Sequence, residues 1–162
     1  MKKYRLVPDD IIFVNGILLY RIQALIDIDV FNVRAGDFGG YVQSEDNLSH
    51  HGLCWIGNNA KVFNNAKVYE MAWVHGNATV SGYAKIHDSA WVYCDAVVEN
   101  DAEVYGKSQV YDHARVSKSA KVYQDARVFG CSHIHGDAEV CGDKWVYNTF
   151  MSGGVHDGNI DI

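Results

Sequence analysis

The stretch Ala60-Lys61-Val62-Phe63-Asn64-Asn65-Ala66-Lys67-Val68-Tyr69-Glu70-Met71-Ala72-Trp73-Val74-His75-Gly76 repeats one six-residue unit. A small residue comes first, a β-branched residue two places later, and a turn position two places after that. Working outward, Val or Ile holds the middle position without a gap from Ile56 to Val146, sixteen times in succession. The small position is Ala from Ala60 to Ala138 except at Ser108 and Ser132, and Lys144 breaks the series at its end. The turn position is mostly Asn, Asp or Gly, with Glu70, Cys94, Lys118 and Gln124 departing from it. A repeat of this kind decides a fold before other features are weighed.

Side chains alternate along a strand, so residues two apart share a face. The Ala/Val pair is the one reliably apolar pair, so its face points inward. Asn, Asp and Gly tolerate the positive φ of a tight turn. Three strand-plus-turn units close an 18-residue triangular coil, and coils stack at about 4.8 Å through parallel ladders. The expectation is an all-β parallel β-helix of five to five and a half coils. It comprises an N-terminal β cap over 1–50, the helix over 51–148 and a tail over 149–162. The unbroken register leaves no loop extruded from any coil.

Charged residues make up 21% and apolar residues 48% of the 162-residue chain, the balance of a globular protein. A formal net charge of −6 argues against general nucleic-acid binding, which needs a basic footprint. No apolar run is long enough to span a membrane, and the start lacks the apolar stretch of a secretory signal. Cysteines 54, 94, 131 and 141 show no metal-finger spacing, so reduced thiols and a cytoplasmic setting are expected.

The repeat resembles the left-handed β-helix of hexapeptide-repeat acyltransferases and γ-class carbonic anhydrases, and the left hand is expected from that resemblance. A narrower one rests on Lys3-Tyr4-Arg5-Leu6, Val33-Arg34-Ala35-Gly36, Gly39-Gly40-Tyr41-Val42, Asn47-Leu48-Ser49 and Gly52-Leu53-Cys54-Trp55-Ile56. These resemble the opening of YdcK-type proteins of bacteria and prophages. The likeness spans nearly the whole chain and implies the fold, but it brings no established chemistry. It does imply a prophage setting, in which one expected role is to block or sequester a host-defence component, either a small anionic ligand or a host protein.

Within the first fifty residues, Ile11–Val14 and Ile17–Ile22 flank Asn15-Gly16, a two-residue hairpin signal. A β-helix needs its end coil covered, because open ladder edges invite aggregation. The run Ala35-Gly36-Asp37-Phe38-Gly39-Gly40 invites a phosphate-cradle reading, but it lacks the Lys–Ser/Thr of a P-loop, and capping is the preferred reading. The tail is expected as a loose extension or a strand lent to a neighbouring subunit.

Counting in eighteens sorts the outward residues into columns. One reads Trp55, Trp73, Trp91, Gln109, Arg127, Trp145, and holds every tryptophan of the protein. Even among pre-valine positions, chance puts all four on one face roughly one time in 27. Beside it run His75, Tyr93, Tyr111, Phe129 and Tyr147. An apolar face of this size marks an interface or a binding groove. The expectation is self-association into a homo-oligomer, a trimer favoured. A stacking platform for sugars or nucleobases is the alternative. Lys61, Lys67, Lys85, Arg115 and Arg127 are the candidate anion contacts.

Candidate chemistry is thinner. The acyltransferase resemblance implies a histidine base and coenzyme A between subunits, and His75, His87 and His135 project outward. The missing extruded loop argues against that reaction, so no catalytic residue and no cofactor are assigned. Cys131, His133 and His135 alternate outward with His113 one coil below, a weak zinc constellation. Outward neighbours on one strand lie about 6.5 Å apart, wide for shared coordination. The reading is a non-enzymatic scaffold presenting rigid surfaces, with a CoA-dependent acyltransferase as the alternative and a carbonic-anhydrase-like site less favoured.

Overall fold

The computed structural model describes residues 1–158. Strands β1 (Tyr4–Val14) and β2 (Ile17–Ala24) form an antiparallel hairpin about Asn15 and Gly16, both at positive φ. Strand β3 (Phe38–Val42) runs antiparallel to β2 and then pairs in parallel with Lys61–Val62. From Trp55–Ile56 onward, strands of two or three residues pair with the strands one coil on: Trp55 with Trp73, Lys61 with Thr79, Lys67 with Lys85. Three sheets result. The first carries the hairpin and β3 and ends at Phe150–Met151; the second runs from Trp55–Ile56 to Trp145–Tyr147; the third runs from Lys67–Val68 to Val155–His156. The protein is a left-handed parallel β-helix of about six turns with 18-residue coils.

Inside the prism the Ala and Val/Ile columns are fully buried and form one continuous cluster. Each buried valine contributes about 1.5–3 kcal/mol relative to exposure. The two serines of the alanine column keep their hydroxyls satisfied: Ser108 donates to the carbonyls of Tyr105 and Val122, and Ser132 to those of Phe129 and Val146. A buried hydroxyl with partners costs little, which is why Ser replaces Ala there.

From Asn58 to Asn148 each corner turn passes through a residue at positive φ, including Glu70, Cys94, Lys118 and Gln124. For L-residues this costs roughly 1–2 kcal/mol each. Part of that is offset between coils. The side-chain oxygen of a turn residue accepts the backbone N–H of the turn residue one coil on: Asn58 from Gly76, Glu70 from Asp88, Asp88 from Gly106, Asp112 from Gly130, Gln124 from Gly142. Glu70 and Gln124 therefore do at longer reach what Asn and Asp do elsewhere.

Two expected boundaries move. The helix starts before residue 51, because β3 is already a rung of the first sheet and Leu48 bridges Val68. Tyr4, Ile22, Ala24, Ile28 and Val42 join the same core, so the hairpin extends a sheet instead of forming a separate layer. At the other end the coil continues past 148. Phe150–Met151 pairs with His133–Ile134 and Val155–His156 with Glu139–Val140, so that stretch is neither loose nor lent to another subunit. The repeat hides this rung because the third-sheet strand arrives two residues early: Val155 pairs with Glu139, not with residue 157. Residues 159–162, the rest of the expected tail, lie outside the described residues.

The glycine-rich run has a steric role. A Cβ on Gly39 would lie 2.7 Å from both Ile22 Cγ1 and Trp55 Cζ2, and one on Gly40 would overlap the Ala60 carbonyl oxygen and sit 2.6 Å from Ile56 Cγ2. These glycines let the cap touch the first full coil. Both are buried, so neither offers its backbone to a phosphate.

Candidate functional site: a laddered aromatic face

Parallel register stacks identical positions, so the second sheet turns a sequence period into two vertical columns. Trp55, Trp73, Trp91, Gln109, Arg127 and Trp145 are consecutive Cα partners. Beside them His75, Tyr93, Tyr111 and Phe129 stack within 6° of parallel at centroid spacings of 4.9–5.1 Å, and Tyr147 caps the stack at 5.2 Å. Each such contact contributes roughly 0.5–1.5 kcal/mol beyond area burial. Because these rings spend their faces on one another, they offer edges to solvent.

The cap shortens the face. Trp55 is only 2% exposed, with the Gly39 backbone against its ring. Trp73 lies under Phe31, stacked at 4.8 Å, and against His75 at 3.8 Å. The expectation that all four tryptophans stand on the open surface is corrected: Trp55 belongs to the core and Trp73 to the cap junction. Phe31 sits outside the repeat, so periodicity could not place it. A cleft of about 250 Å³ remains at this junction, bordered by Phe31, Phe38, Asp37 and Trp73.

What stays open is the distal part, where Trp91 is 37%, Trp145 43% and Tyr147 47% exposed. Trp91 meets Trp73 edge-on at 86°, and Trp145 meets Phe129 at 81°. The Arg127 guanidinium lies 5.0 Å from the Trp145 ring centre, a cation–π contact, and makes no ion pair among the described residues. Tyr93 donates to Gln109 Oε1 at 3.1 Å, and burial pushes its hydroxyl up to about 12.

His75 starts this stack between Trp73 and Tyr93, and burial holds its imidazole down at about 4. The folded protein therefore keeps His75 neutral where the unfolded chain, near 6.5, would protonate it. Its stabilising contribution is present above pH 6.5 and is lost as pH falls towards 4. Discounted for partial exposure, the loss is about 1–2 kcal/mol. His75→Phe, which the column tolerates at Phe129, should flatten that part of the acid limb. Denaturant melts at pH 7 and pH 4.5 check it: the wild type should lose more stability than the variant, and equal losses would contradict the assignment.

The histidines named as acyl-transfer bases stand in three different environments. His75 has no hydrogen-bond partner to orient it among the described residues, and His135 Nε2 is buried without one. His87 is clamped between Tyr69 and Tyr105 at 4.8 and 5.1 Å, with Nε2 2.7 Å from Glu103. The zinc constellation does not assemble either. His133 Nε2 lies 3.0 Å from the Ser117 hydroxyl, His113 leans towards Asp95, and Cys131 is exposed away from a ligand set. The closest three-ligand grouping among the described residues is a different one: Glu70, His87 and Asp88. Both of its carboxylates already accept backbone N–H groups, from Asp88 and Gly106, as part of the turn ladder.

The candidate anion contacts also separate. Arg115 pairs with Glu99, and Lys61 donates to the Asn59 carbonyl. Lys67 and Lys85 are adjacent in register and unpaired among the described residues. Outside the candidate residues, Lys3 and Cys54 form a buried pair, with Nζ 2.7 Å from the Cys54 carbonyl and 3.1 Å from its sulfur. Burial pulls the Lys3 amine down and pushes the Cys54 thiol up. The available signal was that Cys54 lies six residues before Ala60, in the inward small-residue column.

Fold and faces together define a left-handed parallel β-solenoid with a tryptophan-bearing aromatic ladder on its second sheet and a stacked Tyr69, His87, Tyr105 and Tyr123 ladder on its third. Residues 108–124 match the family model described as the YdcK β-solenoid repeat, so the chain carries a repeat of that type. No curated protein matched the chain. No helix among the described residues is long and apolar enough to cross a membrane.

Proposed function

We propose that this protein is a non-enzymatic binding scaffold that assembles with copies of itself, a trimer favoured, through the distal half of its aromatic face. The observation that carries this reading is the contiguous strip Trp91, Tyr93, Tyr111, Phe129, Trp145 and Tyr147, in which ring edges and indoles face solvent on a rigid sheet. Edge-on rings form a flat apolar wall, suited to another such wall. A sugar or base would need free ring faces, and the tyrosine stack has used its own. The four free cysteines, Cys94 and Cys131 among them exposed, support a reducing, cytoplasmic setting. Light scattering on the wild type and on Trp91→Glu/Trp145→Glu tests the assembly. A wild-type oligomer that the double variant reduces to a monomer supports the reading, and a monomeric wild type overturns it.

A further inference from the structure

We infer that a second site, on the third sheet and its corner with the first, binds a sugar phosphate. The inference starts from a charge pattern. In the column Lys67, Lys85, Glu103, Lys121, Glu139 the signs alternate from Lys85 onward, and Lys121 reaches Glu139 at 3.8 Å. Only Lys67 and Lys85 break the alternation. They are Cα partners in the ladder, about 4.8 Å apart, where like charges repel. Neither has a carboxylate within ion-pair distance among the described residues. Lysines elsewhere on the strands have partners: Lys121 has Glu139 and Lys61 has the Asn59 carbonyl.

This pair, which makes no ion pair among the described residues, borders a cleft of about 480 Å³ lined by Asn65, Lys67, Tyr83, Lys85, Asp101 and Glu103. The volume is within the range of small-molecule sites. Its two ends differ in chemistry. At one end two ammonium groups and the Asn65 amide would meet a dianion, relieving the lysine repulsion. At the other end Asp101 and Glu103 accept hydrogen bonds, which suits hydroxyl groups and repels a second anion. Glu103 is held by His87 at 2.7 Å, so its position is set. Tyr83, 63% exposed at the rim, offers an apolar ring to the carbon face of a sugar. A phosphate joined to a polyol ring matches all three features, whereas inorganic phosphate matches the lysines alone. The site lies off the aromatic face and does not depend on self-association.

Isothermal titration with glucose 6-phosphate, inorganic phosphate and glucose tests it. Saturable binding of glucose 6-phosphate is expected, tighter than inorganic phosphate and weakened tenfold or more in Lys67→Gln and in Lys85→Gln. Lys121→Gln, on the same column outside the cleft, should bind as wild type. Asp101→Asn should weaken glucose 6-phosphate and leave inorganic phosphate unchanged. Undetectable glucose 6-phosphate binding, binding that survives loss of either lysine, or equal affinity for inorganic phosphate would each overturn the assignment. A separate reading needs no ligand. If the lysines repel, Lys67→Gln raises the melting temperature, and a fall in melting temperature counts against the inference.

Discussion

Replacing Trp91 and Trp145 together with glutamate is expected to turn the assembled protein into a monomer at micromolar concentration. Buried indoles at the centre of an interface commonly account for 2 kcal/mol or more each on truncation. Glutamate adds a second penalty, since an unpaired carboxylate in an apolar interface costs several kcal/mol. The sum exceeds about 6 kcal/mol, more than four orders of magnitude in dissociation constant. The fold itself should barely notice, because both indoles are over a third exposed in the single chain and neither belongs to the inward columns. Light scattering reads the mass and circular dichroism reads the fold. A double variant that keeps the wild-type mass would free the face for some other occupant. Trp73 is the wrong residue for this experiment: under Phe31 it anchors the cap, and its loss would confuse unfolding with dissociation.

Gly40→Ala is expected to be a strongly damaging single-methyl change. A Cβ there has backbone on one side, the Ala60 carbonyl, and the Ile56 side chain on the other, and that carbonyl cannot move without disturbing the bond it accepts from Tyr41 N at 2.8 Å, which holds β3 to Lys61–Val62. Overpacking of a rigid contact costs up to about 3 kcal/mol, which for a chain of this size lowers the melting temperature by roughly 6–12 °C. Gly142→Asn is the control. Gly142 is at positive φ, but among the described residues its Cβ would meet nothing closer than 3.4 Å, and Asn58, Asn64 and Asn100 already hold equivalent corners. Its shift should stay within about 0.5 kcal/mol. Calorimetry on both variants decides the matter; comparable losses would mean that the close approach at Gly40 is not what docks the cap.

The third-sheet end shows where periodicity stops informing. Lys144 breaks the alanine column, and the strand at Val155 comes two residues early, so a rule of sixes puts the helix end at Val146. The backbone continues the ladder nonetheless, because an unpaired edge leaves N–H and C=O groups that Phe150–Met151 and Val155–His156 can satisfy without an inward valine. Glu70, Cys94, Lys118 and Gln124 make the same point at the corners. Their types do not favour positive φ, yet the coil imposes it because the strands on either side are held in register by their neighbours.

By itself the sequence determined the coil: an inward Ala/Val pair every six residues leaves one way to bury apolar surface, and 18-residue closure then dictates that all four tryptophans share one column. Only the tertiary structure decided which of them remain available. Phe31 and the glycines at 39 and 40 come from the aperiodic cap, and their contacts with Trp55 and Trp73 depend on how that segment folds back. The anion candidates divide the same way. Register sets which lysines are neighbours, and this is legible in eighteens. Lys121 meets Glu139 straight up that ladder, but whether Arg115 finds Glu99, or Lys85 finds its own register neighbour Glu103, depends on side-chain reach and on competitors such as His87, which spacing along the chain does not encode.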